Sequence, residues 1–95
     1  MKFTWSAEKS ALLETQRAVC FEDVVSAIAQ GGLLAEAAHP NNVKYPHQYI
    51  YVVNVRNYAY LVPHIKTDEG VFLKTIIPSR KATKQFLSPP AGAPL

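Results

Sequence analysis

Hydrophobic positions along this chain keep two different rhythms, and the switch between them divides it into a helical part and a strand part. Phe21, Val24, Val25 and Ile28 recur at the i, i+3, i+4, i+7 spacing of an amphipathic helix, which predicts a helix from about Phe21 to Gln30. Glu22 and Asp23 sit in its first turn, where acids suit the macrodipole, and Gly31-Gly32 can end it through a left-handed cap. Ahead of it, Ser6 is a fitting N-cap for a helix that runs to about Arg17, with Glu8 in the first turn and a break over Ala18–Cys20. Lys2–Trp5 reads as a short edge strand with Phe3 and Trp5 on one side.

From residue 49 the period is two. Tyr49–Val55 places Tyr49, Tyr51, Val53 and Val55 on one face and Ile50, Val52 and Asn54 on the other. A tight turn in Asn54–Asn57 returns the chain as Tyr58–Val62, and Pro63, which lacks an N–H, predicts an edge or bulge there. A second turn at Thr67–Gly70 leads into Val71–Ile77, with Val71, Leu73, Thr75 and Ile77 on one face and Phe72, Lys74 and Ile76 on the other. Leu33–Ala38 is a further strand candidate, followed by the polar loop that contains His39, Pro40, Asn41, Asn42, Lys44, Tyr45, Pro46 and His47. These elements predict an α+β domain: two N-terminal helices packed on an antiparallel sheet meander, closed by a short basic C-terminal helix.

That last helix is the most informative stretch. Pro78 stops the strand and Ser79 caps the helix beyond it. At about 100° per residue, Arg80, Lys81 and Lys84 share one face while Ala82 and Phe86 point the other way. Docking through Phe86 would hold three cations toward solvent as a fixed phosphate site. The same spacing also fits an ordinary solvated helix face.

Composition narrows the picture. Ninety-five residues, 48% of them hydrophobic, make a single folded domain, expected over residues 1–87. The closing SPPAGAPL, residues 88–95, has the composition of a disordered tail. No apolar run approaches the roughly 18–20 residues of a membrane span, and the N-terminus lacks a secretory core, so the cytoplasm is the expected location. The formal charge of +3 is unevenly distributed. Residues 1–39 carry three cations against five acids, whereas residues 40–95 carry seven cations against two. A basic, tyrosine-rich half predicts a nucleic acid or an acidic protein segment as partner.

Chemistry beyond charge is sparse. His39, His47 and His64 are the candidate acid–base groups. His64, after Pro63, reads either as a half-buried histidine with a hydrogen-bond partner or as a group pointing into the cleft of the basic helix. Tyr51 and its neighbours offer stacking faces for bases if exposed, and Lys74 and Arg56 add positive charge for an RNA strand. Cys20 is the single cysteine; it permits no internal disulfide, offers no recognisable metal spacing and has no histidine placed to make it a nucleophile. Neither a metal nor another cofactor is expected.

Two segments carry a resemblance. KFTWSAEKSALLETQRAVCFEDVV resembles the opening of BrnT-like toxins, which begin Phe-x-Trp-Asp, continue as a Lys/Ala helix and reach Gly-Val-Ser-Phe-Glu-Glu/Asp. YVVNVRNYAYLVPHI and VFLKTIIPSRKATKQF resemble the strand–strand–strand–helix end of the same family. They are closest to chains with Tyr-Leu-Val-Pro and then Lys-Thr-Ile-Ile-Pro-Ser-Arg-Lys-Ala-Thr. The likeness covers about residues 2–87. It implies a RelE-like fold and a bacterial toxin of a type II toxin–antitoxin system, an endoribonuclease acting on mRNA without a metal, with the ribosome as a possible further partner. It also implies a DNA-binding antitoxin encoded alongside. On the matching positions it implies Arg80 and Lys84 as catalytic cations and Lys81 as a third, RNA-binding one. The chain departs from the pattern at Ser6 (Asp is common), Ala18 (Gly), Cys20 (Ser) and His64 (an apolar residue, often Phe), and its terminal helix is shorter and poorer in arginine. The rival expectation is a non-catalytic domain whose basic groove binds an acidic or amphipathic segment.

Overall fold

The computed structural model describes residues 2–87, so the expected tail lies outside the described residues. The chain runs β1 (Phe3–Thr4), α1 (Ala7–Arg17), α2 (Phe21–Ala29), β2 (Leu33–Ala38), β3 (Gln48–Val55), β4 (Tyr58–Thr67), β5 (Gly70–Leu73), β6 (Ile77–Pro78) and α3 (Arg80–Leu87). This is an α+β fold with two N-terminal helices, a sheet and a C-terminal helix. The strands lie in the order β1-β5-β4-β3-β2, with β6 also paired to β4. All neighbours are antiparallel except β1 and β5, which are parallel.

The helix ends follow the local chemistry. Ser6 Oγ accepts the Lys9 N–H at 3.2 Å and starts α1. The helix closes at Ala18, which takes a left-handed φ of 55°. A side chain there costs about 1 kcal/mol that glycine would avoid. At the end of α2, Gly31 has φ 88° while its N–H bonds Ile28 O at 3.1 Å and the Gly32 N–H bonds Ala27 O at 2.7 Å. That pair of bonds is a Schellman closure. A Cβ on Gly32 would lie 2.8 Å from both Ala27 O and Asn54 O, so the turn can press against β3 only with glycine there.

α1 and α2 cover one face of the sheet. Leu13, Phe21 and Val24 from the helices meet Val53, Val62 and Leu73 from the strands in a closed core. Full burial of each such side chain contributes roughly 1.5–3 kcal/mol. The β3–β4 hairpin that carries much of this face turns through Arg56 (φ 51°) and Asn57 (φ 66°). Two left-handed residues in a row make the turn whose twist matches that of the paired strands.

Three expectations are corrected. β4 does not end at Val62 but continues to Thr67, with Pro63 opposite Ile50. The Pro63 carbonyl faces the other way and accepts the Lys74 N–H at 2.8 Å. Its missing N–H therefore falls where β5 has ended and β6 has not begun, and no ladder bond is lost. Secondly, Val71–Ile77 is not one strand. Lys74–Ile76 leave the ladder between β5 and β6, and the alternation shifts by one: Ile76 is fully buried whereas Ile77 is 39% exposed. The extra residue acts as a bulge does, changing which side chain faces the core. Thirdly, α3 docks through Ala82 and Thr83 rather than through Phe86, which is 37% exposed.

Candidate nucleic-acid interface

α3 is held at its first turn. Ser79 donates its N–H to Ala59 O at 3.0 Å, its Oγ accepts the Ala82 N–H at 3.0 Å, and Thr83 Oγ1 takes the Ala59 N–H at 2.9 Å. Those two groups of Ala59 point out of the edge of β4, so the bonds satisfy the sheet edge and the helix end together. The buried Ala82 completes the contact. Arg80, Lys81 and Lys84 stand exposed, and none forms an ion pair with a described residue. Lys84 in the last turn suits the helix dipole, while Arg80 in the first turn works against it. Cations beside the free N–H groups of a helix start favour an anion.

The other expected site residues lie apart from this helix. Arg56, at the hairpin tip, donates to Ala18 O at 2.7 Å and stands 3.5 Å from Asp23, tying the tip to the helical pair. Burial pushes the Asp23 carboxyl up, but the Cys20 N–H and Arg56 outweigh it and hold the group below the usual carboxylate range. Lys74 reaches Gln48 Oε1 at 3.4 Å. Tyr51 is 3% exposed, its ring stacked 3.6 Å from the His64 ring, so it presents no open face for a base.

His64 does not enter a cleft with α3. It lies five residues along β4 from Ala59, roughly 17 Å at strand rise, and is fully buried. Nδ1 donates to Val62 O at 2.9 Å, since a carbonyl only accepts, and Nε2 lies 3.1 Å from Glu36 Oε2. The same carboxylate oxygen meets Lys66 Nζ at 2.6 Å, and that ammonium sits 4.4 Å from the centre of the Tyr49 ring. Glu36 thus reaches from β2 across β3 to two residues of β4. Burial alone raises its carboxyl, yet the hydrogen bonds from Lys66 and His64 prevail and hold it below the ordinary range. Burial and the nearby Glu36 charge push the Tyr51 hydroxyl up.

The other two histidines lie at the same end of the sheet as His64. The His39 N–H bonds Gln48 O at the start of β3, and His47 O accepts the Lys66 N–H. All three histidines therefore stand at the end opposite the hairpin tip, where α3 begins. Sequence reasoning did not single out Glu36. Its place opposite Tyr51 is the signal, but that signal needs the β2–β3 register.

Glu14, Cys20 and Asp23 bring one ligand-type atom each within 4.8 Å of one another. Asp23 already serves Cys20 and Arg56. Burial, together with Asp23 beside it, pushes the Cys20 thiol up to about 11, which disfavours the thiolate a metal would need. No helix among the described residues is long and apolar enough to cross a membrane. No family model matches the chain, and no curated protein or solved structure is detectably similar to it.

Proposed function

We propose that this chain is a metal-independent endoribonuclease acting on mRNA, the toxin of a toxin–antitoxin pair. Its reactive surface is the cationic side of α3. The observation that carries the reading is the trio Arg80, Lys81 and Lys84, exposed on a helix bolted to β4 and free of ion pairs among the described residues. The likeness of residues 2–87 to BrnT-like toxins and the agreement of element order support it.

In cleavage a ribose 2′-oxygen gives its proton to water and attacks the adjoining phosphorus, the P–O5′ bond breaks, and the leaving 5′-oxygen takes a proton from water. The products are a 2′,3′-cyclic phosphate and a 5′-hydroxyl, and negative charge builds on the phosphorane oxygens on the way. Arg80 grips two of those oxygens with its planar fork, and Lys84 supplies a point charge one turn along. Lys81 holds a neighbouring phosphate. Arg56, with N–H groups left over from its two contacts, extends the positive track around the hairpin tip.

Induced expression of the wild type is expected to arrest growth and create new 5′ ends in mRNA, read by primer extension. Arg80→Ala with Lys84→Ala is expected to relieve both while the protein stays folded. Intact mRNA and normal growth with soluble wild-type protein would overturn the reading. The rival, a non-catalytic partner-binding domain, draws on one observation: every histidine lies at the far end of the sheet from α3. It requires normal partner affinity without RNA cleavage.

A further inference from the structure

The sheet has two edges, and they are built differently. β1 closes one side with only two residues, and Lys2 stands directly before it. A strand that short, flanked by a cation, offers little to a further strand. β2 closes the other side with the six residues Leu33–Ala38 and pairs only with β3. It holds no lysine, arginine or proline, and Ala35, Ala37 and Ala38 keep its profile low. Its one charged side chain, Glu36, is spent on His64 and Lys66 across β3. The register shift of the strand lies between Leu33 and Ala35, ahead of this stretch. The devices that normally discourage pairing at an edge are therefore missing over residues 35–38.

Hydrogen-bond direction shows what this edge presents. The His39 N–H points at β3, where it meets Gln48 O at 2.9 Å. Backbone groups alternate along a strand, so Ala37 and Ala35, opposite Ile50 and Val52, point the same way. The N–H and C=O of Glu36 and Ala38 face outward, with no partner among the described residues. Pro40, next in that outward series, has no N–H to offer and sets the limit of the free edge.

This pattern is complementary to itself. Turned about a two-fold axis through the exposed Ala37, a second β2 runs antiparallel to the first. Glu36 of each copy then stands against Ala38 of the other, and each such pair exchanges N–H to C=O bonds. The two Ala37 residues meet at the axis, where Cα atoms approach to about 4.5 Å and a methyl group fits. The Glu36 carboxylates stay with their own His64 and Lys66, so no like charges face each other across the seam. The α3 cations sit on β4, two strands in from this edge, and are kept apart. We infer that β2 is the pairing edge of a symmetric dimer, which joins two copies of this chain into one continuous sheet. The inference concerns a different surface from α3 and does not rest on the ribonuclease reading.

The test uses the full chain in sedimentation equilibrium from micromolar to millimolar concentration. The wild type is expected to move from the mass of one chain to twice that mass. Slow hydrogen exchange at the Glu36 and Ala38 amides should appear only as the dimer forms. Ala38→Pro removes an outward N–H and leaves the β2–β3 ladder whole. That variant is expected to stay monomeric, with an unfolding midpoint at micromolar concentration near the wild-type value. Ala37→Lys and Ala37→Glu each place like charges at the axis and are expected to raise the dimer dissociation constant about fivefold. Mixed in equal amounts, these two variants set opposite charges against each other and recover the dimer. The recovery requires residue 37 opposite residue 37, so it decides the matter even if the proline variant fails to fold. A chain that stays monomeric at millimolar concentration would overturn the inference. So would a dimer that Ala38→Pro or the single charge variants leave intact, or a mixture that recovers nothing. A dimer lost instead in Phe72→Ser with Ile77→Ser, at positions 40% and 39% exposed on the face away from α1 and α2, would overturn it by assigning the contact to that face. No RNA enters any arm, so failure of the ribonuclease reading leaves the result untouched.

Discussion

Two clusters of cationic and polar side chains lie at opposite ends of this sheet, and they spend their charge differently. Around His64, the Glu36 carboxylate is shared between an imidazole and the Lys66 ammonium, and Tyr49 and Tyr51 close over the group. On α3, Arg80, Lys81 and Lys84 face water with no described acid in reach. A buried polar ring must be paired because desolvation is costly, and the half-exposed Glu36 and Lys66 serve the buried His64, so the first cluster serves the fold. A cation held out on an anchored helix costs little and stays available to a phosphate. Paired charge marks architecture here, and unpaired charge marks the candidate interface.

The sharpest way to break this contrast is at His64. His64→Ala leaves a cavity and strips Glu36 of a partner, with an expected loss of about 3–4 kcal/mol in urea unfolding. Arg80→Ala with Lys84→Ala should leave stability within about 0.5 kcal/mol of wild type. If both variants unfold alike, the division between the clusters is wrong.

The same double substitution is expected to lower affinity for single-stranded RNA by about tenfold or more, or about 1.4 kcal/mol. It should also flatten the slope of log K against log salt by roughly 1.4, at about 0.7 per lost phosphate contact. Glu36→Gln, measured in parallel, should leave that slope unchanged.

Acid unfolding probes the paired cluster next. The Glu36 carboxyl is lower in the folded chain than in the unfolded one. Its contribution is therefore complete above an unfolded value of about 4.3 and is lost as pH falls through the folded one. Glu36→Gln should cost about 1–2 kcal/mol at neutral pH and flatten the acid limb of the stability profile. A limb as steep as in wild type would show that the bonds to His64 and Lys66 contribute nothing. The smallest effect expected is at the base of α3. Ser79→Ala removes the cap on the Ala82 N–H and should cost about 1 kcal/mol, seen as faster hydrogen exchange confined to residues 80–87.

Much of this organisation was readable in advance where it depends on neighbours in the chain. The Ser6 and Ser79 caps, the glycine closure of α2 and the alternation of β3 all arise within a few residues of one another, and the structure keeps each. Pro63 does fall where the ladder on one side of β4 is interrupted, and only the end of the strand was misplaced: β4 runs on to Thr67 because β5 pairs with the residues beyond the proline. Thr75 and Ile77 misled because one residue leaving the ladder inverts every side chain after it. Tyr51 and His64 were each noticed as chemistry-bearing types. Their mutual stacking needs the β3–β4 register, and their distance from α3 follows from the length of β4.

By itself the sequence determined the helices, the turns, the basic face of α3 and the separation of acidic from basic halves, because propensity, capping and charge act over a turn or two of chain. Only the tertiary structure decided which polar groups are spent and which are free. That depends on strands brought together from distant parts of the chain. Glu36 and His64, twenty-eight residues apart, meet across an intervening strand, while Arg80 and Lys84 meet no described acid at all.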